Sequence, residues 1–411
     1  MQGFHGVHFG DGRHATQEEG GPGGPRSGEM NRRLLITGGA GFIGSRVALR
    51  LAGEGWDIRV LDALLPQVHG PSPYDLPIVR ELTEATDFIV GNVGNPRTCA
   101  RALMGCTHVL HLAAETGTGQ SVYSAARYAE ANVLATARLS DALVDCRDTL
   151  QTVVVASSRA IYGEGRCQCR VHGPVDPPAR QRADLLAHHF EPRCPICGEP
   201  VEPMPTPEAA QCAPVSVYAV TKLAQEHLML NACRALGLKG AALRYQNVYG
   251  AGQSMYNPYV GILPLFAGAI ATGQPLQIFE DGCQTRDLVH VDDAVAATCR
   301  TLAEPPPEPV AINVGSGDPV DLLTLVGHLE ALLGRSAHLR ITGQFREGDI
   351  RHNRACLRRA TALLDFAPQV SLEEGLAEFA GWADTQVGAL AGFAGRYTIA
   401  LDEMRRRGLI R

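Results

Sequence analysis

No run of about 18 or more apolar residues occurs in the 411 residues, so no membrane-spanning helix is expected. No basic surplus occurs either. The 37 Lys and Arg stand against 43 Asp and Glu, a net charge of −6, which argues against a nucleic-acid partner. No apolar h-region heads the chain. Its opening, MQGFHGVHFGDGRHATQEEGGPGGPRSGE, is rich in glycine and polar residues, so it is not a signal peptide. It cannot bury enough apolar surface to order itself, and a disordered tail is expected over 1–30, with the folded part starting near Met30. Without an export signal the chain is expected in the reducing cytoplasm, where twelve cysteines do not imply disulfides.

What is present is an ordinary globular composition, 45% hydrophobic and 19% charged, on a chain long enough for more than one domain. The clearest pattern is RLLITGGAGFIGSRVALRLAGEGWDIRVLDA. A short apolar strand at Leu34–Ile36 leads into a turn with Gly38, Gly41 and Gly44, then a helical stretch from Ile43 to Leu51, then a second strand ending at Asp62. Such glycines let backbone N–H groups approach a pyrophosphate at the helix N-terminus. Phe42 and Ile43 lie in the same turn. An acid at the end of the second strand accepts hydrogen bonds from a ribose 2′-OH and repels a 2′-phosphate, which favours NAD over NADP. Further strands follow at Phe88–Val90, in THVLHLAAETGTGQS and in QTVVVASSRAIYG, with a helix patterned from Tyr128 to Leu143. Asn92 and Val93 could meet an adenine, and Leu112, Ala113 and Ala114 form a small-residue loop against which a cofactor could lie. This alternation predicts an α/β fold, a doubly wound parallel sheet with helices on both faces.

The strand Val153–Ala156 ends at Ser157-Ser158, and PVSVYAVTKLAQEHL carries Tyr218 and Lys222. Y-x-x-x-K on a helix places both side chains on one face, one turn apart. The lysine charge is expected to lower the tyrosine pKa. The phenol could then take a proton from a hydroxyl while a nicotinamide accepts hydride, with Ser158 aligning that hydroxyl.

With these residues in place the chain resembles the extended short-chain dehydrogenase/reductase superfamily, in its NAD-dependent sugar-nucleotide epimerase/dehydratase group. The resemblance rests on TGGAGFIG (37–44), Asp62, HLAA (111–114), NVLAT (132–136), SSRAIYG (157–163), Tyr218 with Lys222, LRYQNVYG (243–250), IFEDGCQTRDLVHVDD (278–293), NVGSG (313–317) and REGDIRH (346–352). It runs from Arg33 to Trp382 with one interruption. It implies NAD as cofactor and a nucleotide-sugar substrate, with Asn247 and Arg286 on its diphosphate and Arg346 near its nucleoside end. Arg suits that task because its planar fork matches phosphate oxygens. The resemblance also implies a homodimer joined through the helices of Asn132 and Tyr218.

In dehydratases and decarboxylases of this group a glutamate follows the catalytic Ser or Thr, because eliminating water needs a base and an acid. Here Arg159 and Ala160 follow Ser158, which disfavours both reactions. Inversion at C4 needs less: Tyr218 removes the 4-OH proton, a 4-keto sugar forms and turns over, and hydride returns to its other face. The segments GTGQSVY (117–123) and RYQNVYGAGQSMYNPYVGILPLFA are similar to those of bacterial 4-epimerases of dTDP-L-rhamnose or UDP-glucose. A 4-ketoreductase of a deoxysugar, and a non-catalytic binding or regulatory member, are the rival readings.

The interruption lies between Ser158 and Tyr218. About 35 residues have been added there, in a loop, where insertions are tolerated. The added segment holds Cys167, Cys169, Cys194 and Cys197 as C-x-C and C-P-I-C-G. Four thiolates so spaced in a reducing compartment predict a structural tetrahedral Zn²⁺ without an open position. His172, His188, His189 and Cys212 are spare donors, the histidines being read as solvated loop residues. The zinc-knuckle-like insertion is expected to form a lid or rim over the sugar pocket. The expected domains are the tail (1–30), a dinucleotide-binding domain (31–245) with the Cys-rich insertion (164–212), a mainly substrate-binding domain (246–390) with elements returning to the sheet, and a C-terminal helix (391–411). That helix could pack on the body or on a partner subunit.

Overall fold

The computed structural model describes residues 32–259 and 261–411. The expected tail and residue 31 lie outside the described residues. Among the latter, no helix is long and apolar enough to cross a membrane.

Seven parallel strands form the main sheet: β1 (Arg33–Thr37), β2 (Asp57–Asp62), β3 (Asp87–Val90), β4 (His108–His111), β5 (Thr152–Ser158), β6 (Lys239–Tyr245) and β7 (Val310–Val314). Their order is β7-β6-β5-β4-β1-β2-β3. Successive side chains of a strand point to opposite faces. Accordingly Leu34 and Ile36 enter one core, with Val47, Leu51 and Val295, while Leu35 enters the other, with Leu103, Leu139 and Met229. The chain reverses direction across the sheet between β1 and β4, and open α/β sheets bind ligands at the carboxyl ends of strands flanking such a switch. Thr37 pairs with His111 there, and Ser158 pairs with Tyr245 at the same end of β5 and β6.

From Asn247 onward the chain builds a second core around Phe266, Phe379 and Leu390. Its strands Asn247–Tyr249, Thr285–His290 and Pro319–Asp321 form a small sheet, and Pro275–Ile278 pairs with His338–Ile341. The helix Val387–Arg406 packs on the body. Leu390 belongs to the second core, Leu401 and Met404 cluster with Phe279, and Arg346 pairs with Ile410.

Gly163 and Ala213 touch with no room for a Cβ at the glycine, so the segment between them leaves the body and returns at one place. Inside it, strands Cys167–Cys169, Gly173–Val175 and Glu202–Pro203 form a three-stranded antiparallel sheet, and Arg182–Leu186 is a short helix. Its own buried cluster is only Cys167, Cys169, Val175, Cys194 and Val201. Charged groups tie it to the body. Arg180 reaches Glu164 (3.0 Å), Glu280 (2.9 Å) and the Asp349 carbonyl (2.8 Å).

Candidate active site

One cavity of about 1100 Å³ opens at the carboxyl ends of the strands. Every residue read from the sequence as catalytic, cofactor-binding or substrate-binding lines it: Gly38, Gly41, Phe42, Ile43 and Gly44; Asp62, Asn92 and Val93; Leu112, Ala113 and Ala114; Ser158, Tyr218 and Lys222; Asn247, Arg286 and Arg346.

The floor is the turn after β1. Gly38 has φ +69°, and a Cβ there would come 2.7 Å from the Ala113 nitrogen, so only glycine lets the turn lie against the loop after β4. The helix Phe42–Gly53 begins at Gly41 with no side-chain cap, which leaves its first N–H groups free at the positive end of the helix dipole. Asp62 is buried and accepts from the backbone of Ala40 (3.0 Å, Oδ2) and Leu64 (2.8 Å, Oδ1), with His69 Nε2 3.5 Å from Oδ1, so Oδ2 keeps a lone pair for a further donor.

The wall beyond β4 is held by a departure from the expected helix. Residues Ala129–Leu134 form a wide π-type turn between two α-helical stretches. Asn132 on that turn accepts from the Glu115 amide (2.7 Å) and donates to its carbonyl (3.0 Å), pinning the loop that carries Ala113 and Ala114. Such turns cost regular hydrogen bonding and recur at functional sites.

Ser158 ends β5, and its hydroxyl accepts from the Ala160 amide (3.2 Å) and lies near enough to Tyr218 to favour its charged form. Tyr218 and Lys222 stand one turn apart on the helix Val217–Leu236. Burial pushes the Tyr218 phenol up from its ordinary value, opposed by the Ser158 hydroxyl and the Arg159 charge. Lys222, expected to lower the phenol, is instead turned toward Gln225, which bonds the His111 ring (2.8 Å). Burial brings Lys222 down to about 7, with Glu226 opposing, and His111 down to about 3, through burial and then the Lys222 charge.

Arg286 and Arg159 are among the cations that face the cavity without a carboxylate salt bridge. Arg286 donates to the Thr285 (2.7 Å) and Arg351 (3.1 Å) carbonyls, and burial with the Arg159 charge lowers it to about 9. Arg159 is lowered chiefly by burial, and its Nη1 has no partner. Arg346 differs: Asp349 holds it at 2.7 Å, over the Phe279 ring. Gln246, Asn247, Gln253 and Gln284 line the same space, and each carries a buried side-chain atom without a protein partner.

Residues 34–193 and 194–315 match the NAD dependent epimerase/dehydratase family. The chain belongs to this family. It is 37% identical to a dTDP-L-rhamnose 4-epimerase of Burkholderia thailandensis over 85% of this chain and 94% of that protein. Among solved structures it is similar to MoeE5 in complex with UDP-glucuronic acid and NAD, at 30% identity and TM-score 0.67, covering 86% of this chain and 99% of that one. It is also similar to the UDP-glucose 4-epimerase of Thermotoga maritima with UDP-glucose, at 27% identity and TM-score 0.69, again covering 86% and 99%.

Sequence reasoning weighed Arg159 only for not being an acid, and passed over Gln225 and Gln246. The family motifs contain Gln246 and the Ser158–Arg159 pair, but their empty hydrogen-bonding atoms show only in three dimensions. The cysteine expectation also changes. The atoms that converge are Cys169, His172, Cys194 and Cys197, within 4.8 Å of one another, and Cys167 stands outside the group. Cys167 and Cys169 share a strand face two residues apart, about 6–7 Å along it, so both thiols do not reach one point. His172, read as solvated, takes that place. His188, His189 and Cys212 are not in the group. The lid expectation is corrected as well: among the described residues none from 164 to 212 lines the cavity.

Proposed function

We propose that the protein is a nucleotide-sugar 4-epimerase that uses NAD. The observation that carries this reading is a single cavity that joins the uncapped helix start and Asp62, the Ser158–Tyr218–Lys222 group, and the unpaired Arg159 and Arg286. The residues present fit NAD: the glycine turn admits a pyrophosphate, Asp62 retains a lone pair for a ribose, and Ala113 and Ala114 leave a flat wall. When bound, NAD supplies a hydride acceptor and a positive charge.

Tyr218 takes the proton of the 4-hydroxyl, and Ser158 holds that hydroxyl by its own. Lys222, lowered to about 7 and held by Gln225, would support the phenolate in its protonated form once turned toward Tyr218. Arg159 and Arg286 hold the diphosphate, which lets the keto sugar turn over while its tether stays fixed. Asn247 offers its partnerless oxygen to the substrate, and Arg346 stands toward the nucleoside end. Tyr218 then returns the proton at the inverted centre. No carboxylic acid follows Ser158, so elimination lacks the usual acid and base. The 37% identity to a dTDP-L-rhamnose epimerase favours a dTDP-linked 6-deoxyhexose over a UDP-hexose. Pairing of two copies through the helices of Asn132 and Tyr218 belongs to the same reading. Exposed Leu134, Val144 and Val220 on those helices support it.

The test is incubation of the purified protein with dTDP-L-rhamnose, UDP-glucose and UDP-glucuronate separately, without added cofactor, followed by NMR. Inversion at C4 of one of them is expected. Turnover only with NAD(P)H and a 4-keto sugar would make the protein a reductase instead.

A further inference from the structure

The insertion carries a second site that the reaction does not use. Two short turns face each other in it, Cys169-Arg170-Val171-His172-Gly173 and Cys194-Pro195-Ile196-Cys197-Gly198. They are alike in detail. Each closes on a glycine in the left-handed region, Gly173 at φ +73° and Gly198 at φ +76°. The separations are Cys169 Sγ to Cys197 Sγ 3.7 Å, Cys169 Sγ to His172 Nδ1 3.6 Å and Cys194 Sγ to His172 Nδ1 3.6 Å. A tetrahedron with bonds of about 2.3 Å to sulfur and 2.0–2.1 Å to nitrogen has edges of about 3.8 Å and 3.6 Å. Three of the six edges thus match a coordination shell of that size, and all four atoms lie within 4.8 Å of one another. The surrounding apolar cluster has five members, three of them cysteines, too few to hold strands of two or three residues.

What the turns support lies at their base. Glu191, three residues before Cys194, accepts from Arg351 (2.6 and 3.0 Å) and pairs with His352 (2.9 Å). His352 Nδ1 meets the Thr285 hydroxyl at 3.0 Å. The carbonyls of Thr285 and Arg351 are the two that hold Arg286 in the cavity. Backbone bonds brace the connection: Cys194 donates to Glu199 (2.8 Å) and Val201 to Pro192 (3.0 Å).

We infer that Cys169, His172, Cys194 and Cys197 bind one zinc-class divalent cation, and that this ion fixes Glu191 so that Arg351 and His352 hold Arg286 toward the substrate diphosphate. The shell is closed, so the ion takes no part in the chemistry. Glu191 is a positioning residue. The second half of the inference rests on the epimerase reading of the cavity; the ion itself does not.

The experiment measures bound metal and free thiols on the purified full chain, then dTDP, UDP and NAD binding by calorimetry. One zinc per chain is expected, kept by Cys167→Ser and lost by Cys194→Ser and His172→Ala. Glu191→Gln should keep the metal and its NAD affinity but weaken dTDP or UDP about tenfold, as loss of hydrogen bonds to charged groups does. Chelation should weaken the nucleotide similarly. A disulfide in place of metal, or metal lost with Cys167→Ser and kept with His172→Ala, would overturn the site. Unchanged nucleotide affinity in both Glu191→Gln and the chelated protein would overturn the coupling. Binding of neither nucleotide to metal-loaded protein would overturn the coupling with the reading beneath it, and the metal counts would still judge the site.

Discussion

The main sheet and the inserted segment are held together by different physics. Around β1 to β7 the cores on both faces are built of fully buried aliphatic side chains such as Leu34, Ile36, Leu139 and Leu243. That burial is non-directional, and many sequences of the same pattern satisfy it. The insertion's own core is small, and Leu185 and Phe190 are its main apolar contact with the body, at Phe345. The insertion depends on buried ion pairs and on the Cys/His group, where each partner is specific and a missing one leaves a charge stranded. A region of the first kind fails gradually under substitution. One of the second kind fails at single residues.

Substitutions can separate these behaviours from each other and from catalysis. The largest effect should come from Tyr218→Phe, which removes the acid–base group: turnover should fall roughly 10²–10⁴-fold. Thermal unfolding should hardly move, and the comparison of regions would fail if it did. Next is Arg180→Met. The Arg180, Glu164 and Glu280 side chains are all buried, and removing the cation strands Glu164 without a cation while Glu280 keeps Arg351 (2.9 Å), at a cost of about 3–5 kcal/mol. Denaturant unfolding monitored at the insertion should show that loss. Ile36→Val, an equally buried site in β1, should cost only about 0.5–1.5 kcal/mol in the same assay. If the two were equal, the distinction between regions would not stand.

The smallest effect concerns acid. Burial opposes but does not outweigh the bonds from His352 and Arg351, and Glu191 lies below its ordinary value of 4.5. A carboxylate depressed in the folded state adds stability above its unfolded pKa and loses it as pH falls through the folded one. The melting temperatures of the native protein and Glu191→Gln should therefore differ at neutral pH and converge in acid, once the pH has fallen below that lowered value. A difference that persists at low pH would mean Glu191 acts by packing instead of charge.

Much of the nucleotide half was legible in the chain because its signals are local. The glycine turn, the strand pattern and the acid at Asp62 fall within 30 residues of one another, and backbone sterics tie them to one geometry. The insertion's attachments were not legible, because they join distant residues: Glu164 accepts from the amide of Arg351, 187 positions on. The ligand group was half legible. C-P-I-C-G showed its turn, but C-x-C invited both thiols into a group that the strand repeat admits only one of. The π-type turn at Asn132 was hidden too, since its apolar pattern is that of an ordinary helix.

The contact of Gly163 with Ala213 has a consequence for how such a chain could change over time. Because the segment departs and returns at one point, lengthening it need not shift Ser158 relative to Tyr218. Closing a longer loop adds only about 0.6 kcal/mol for each doubling of length. A short linker between those two residues could hold the same register, whereas the segment present here is anchored to the body through Arg180 and Glu191 and is not free to detach.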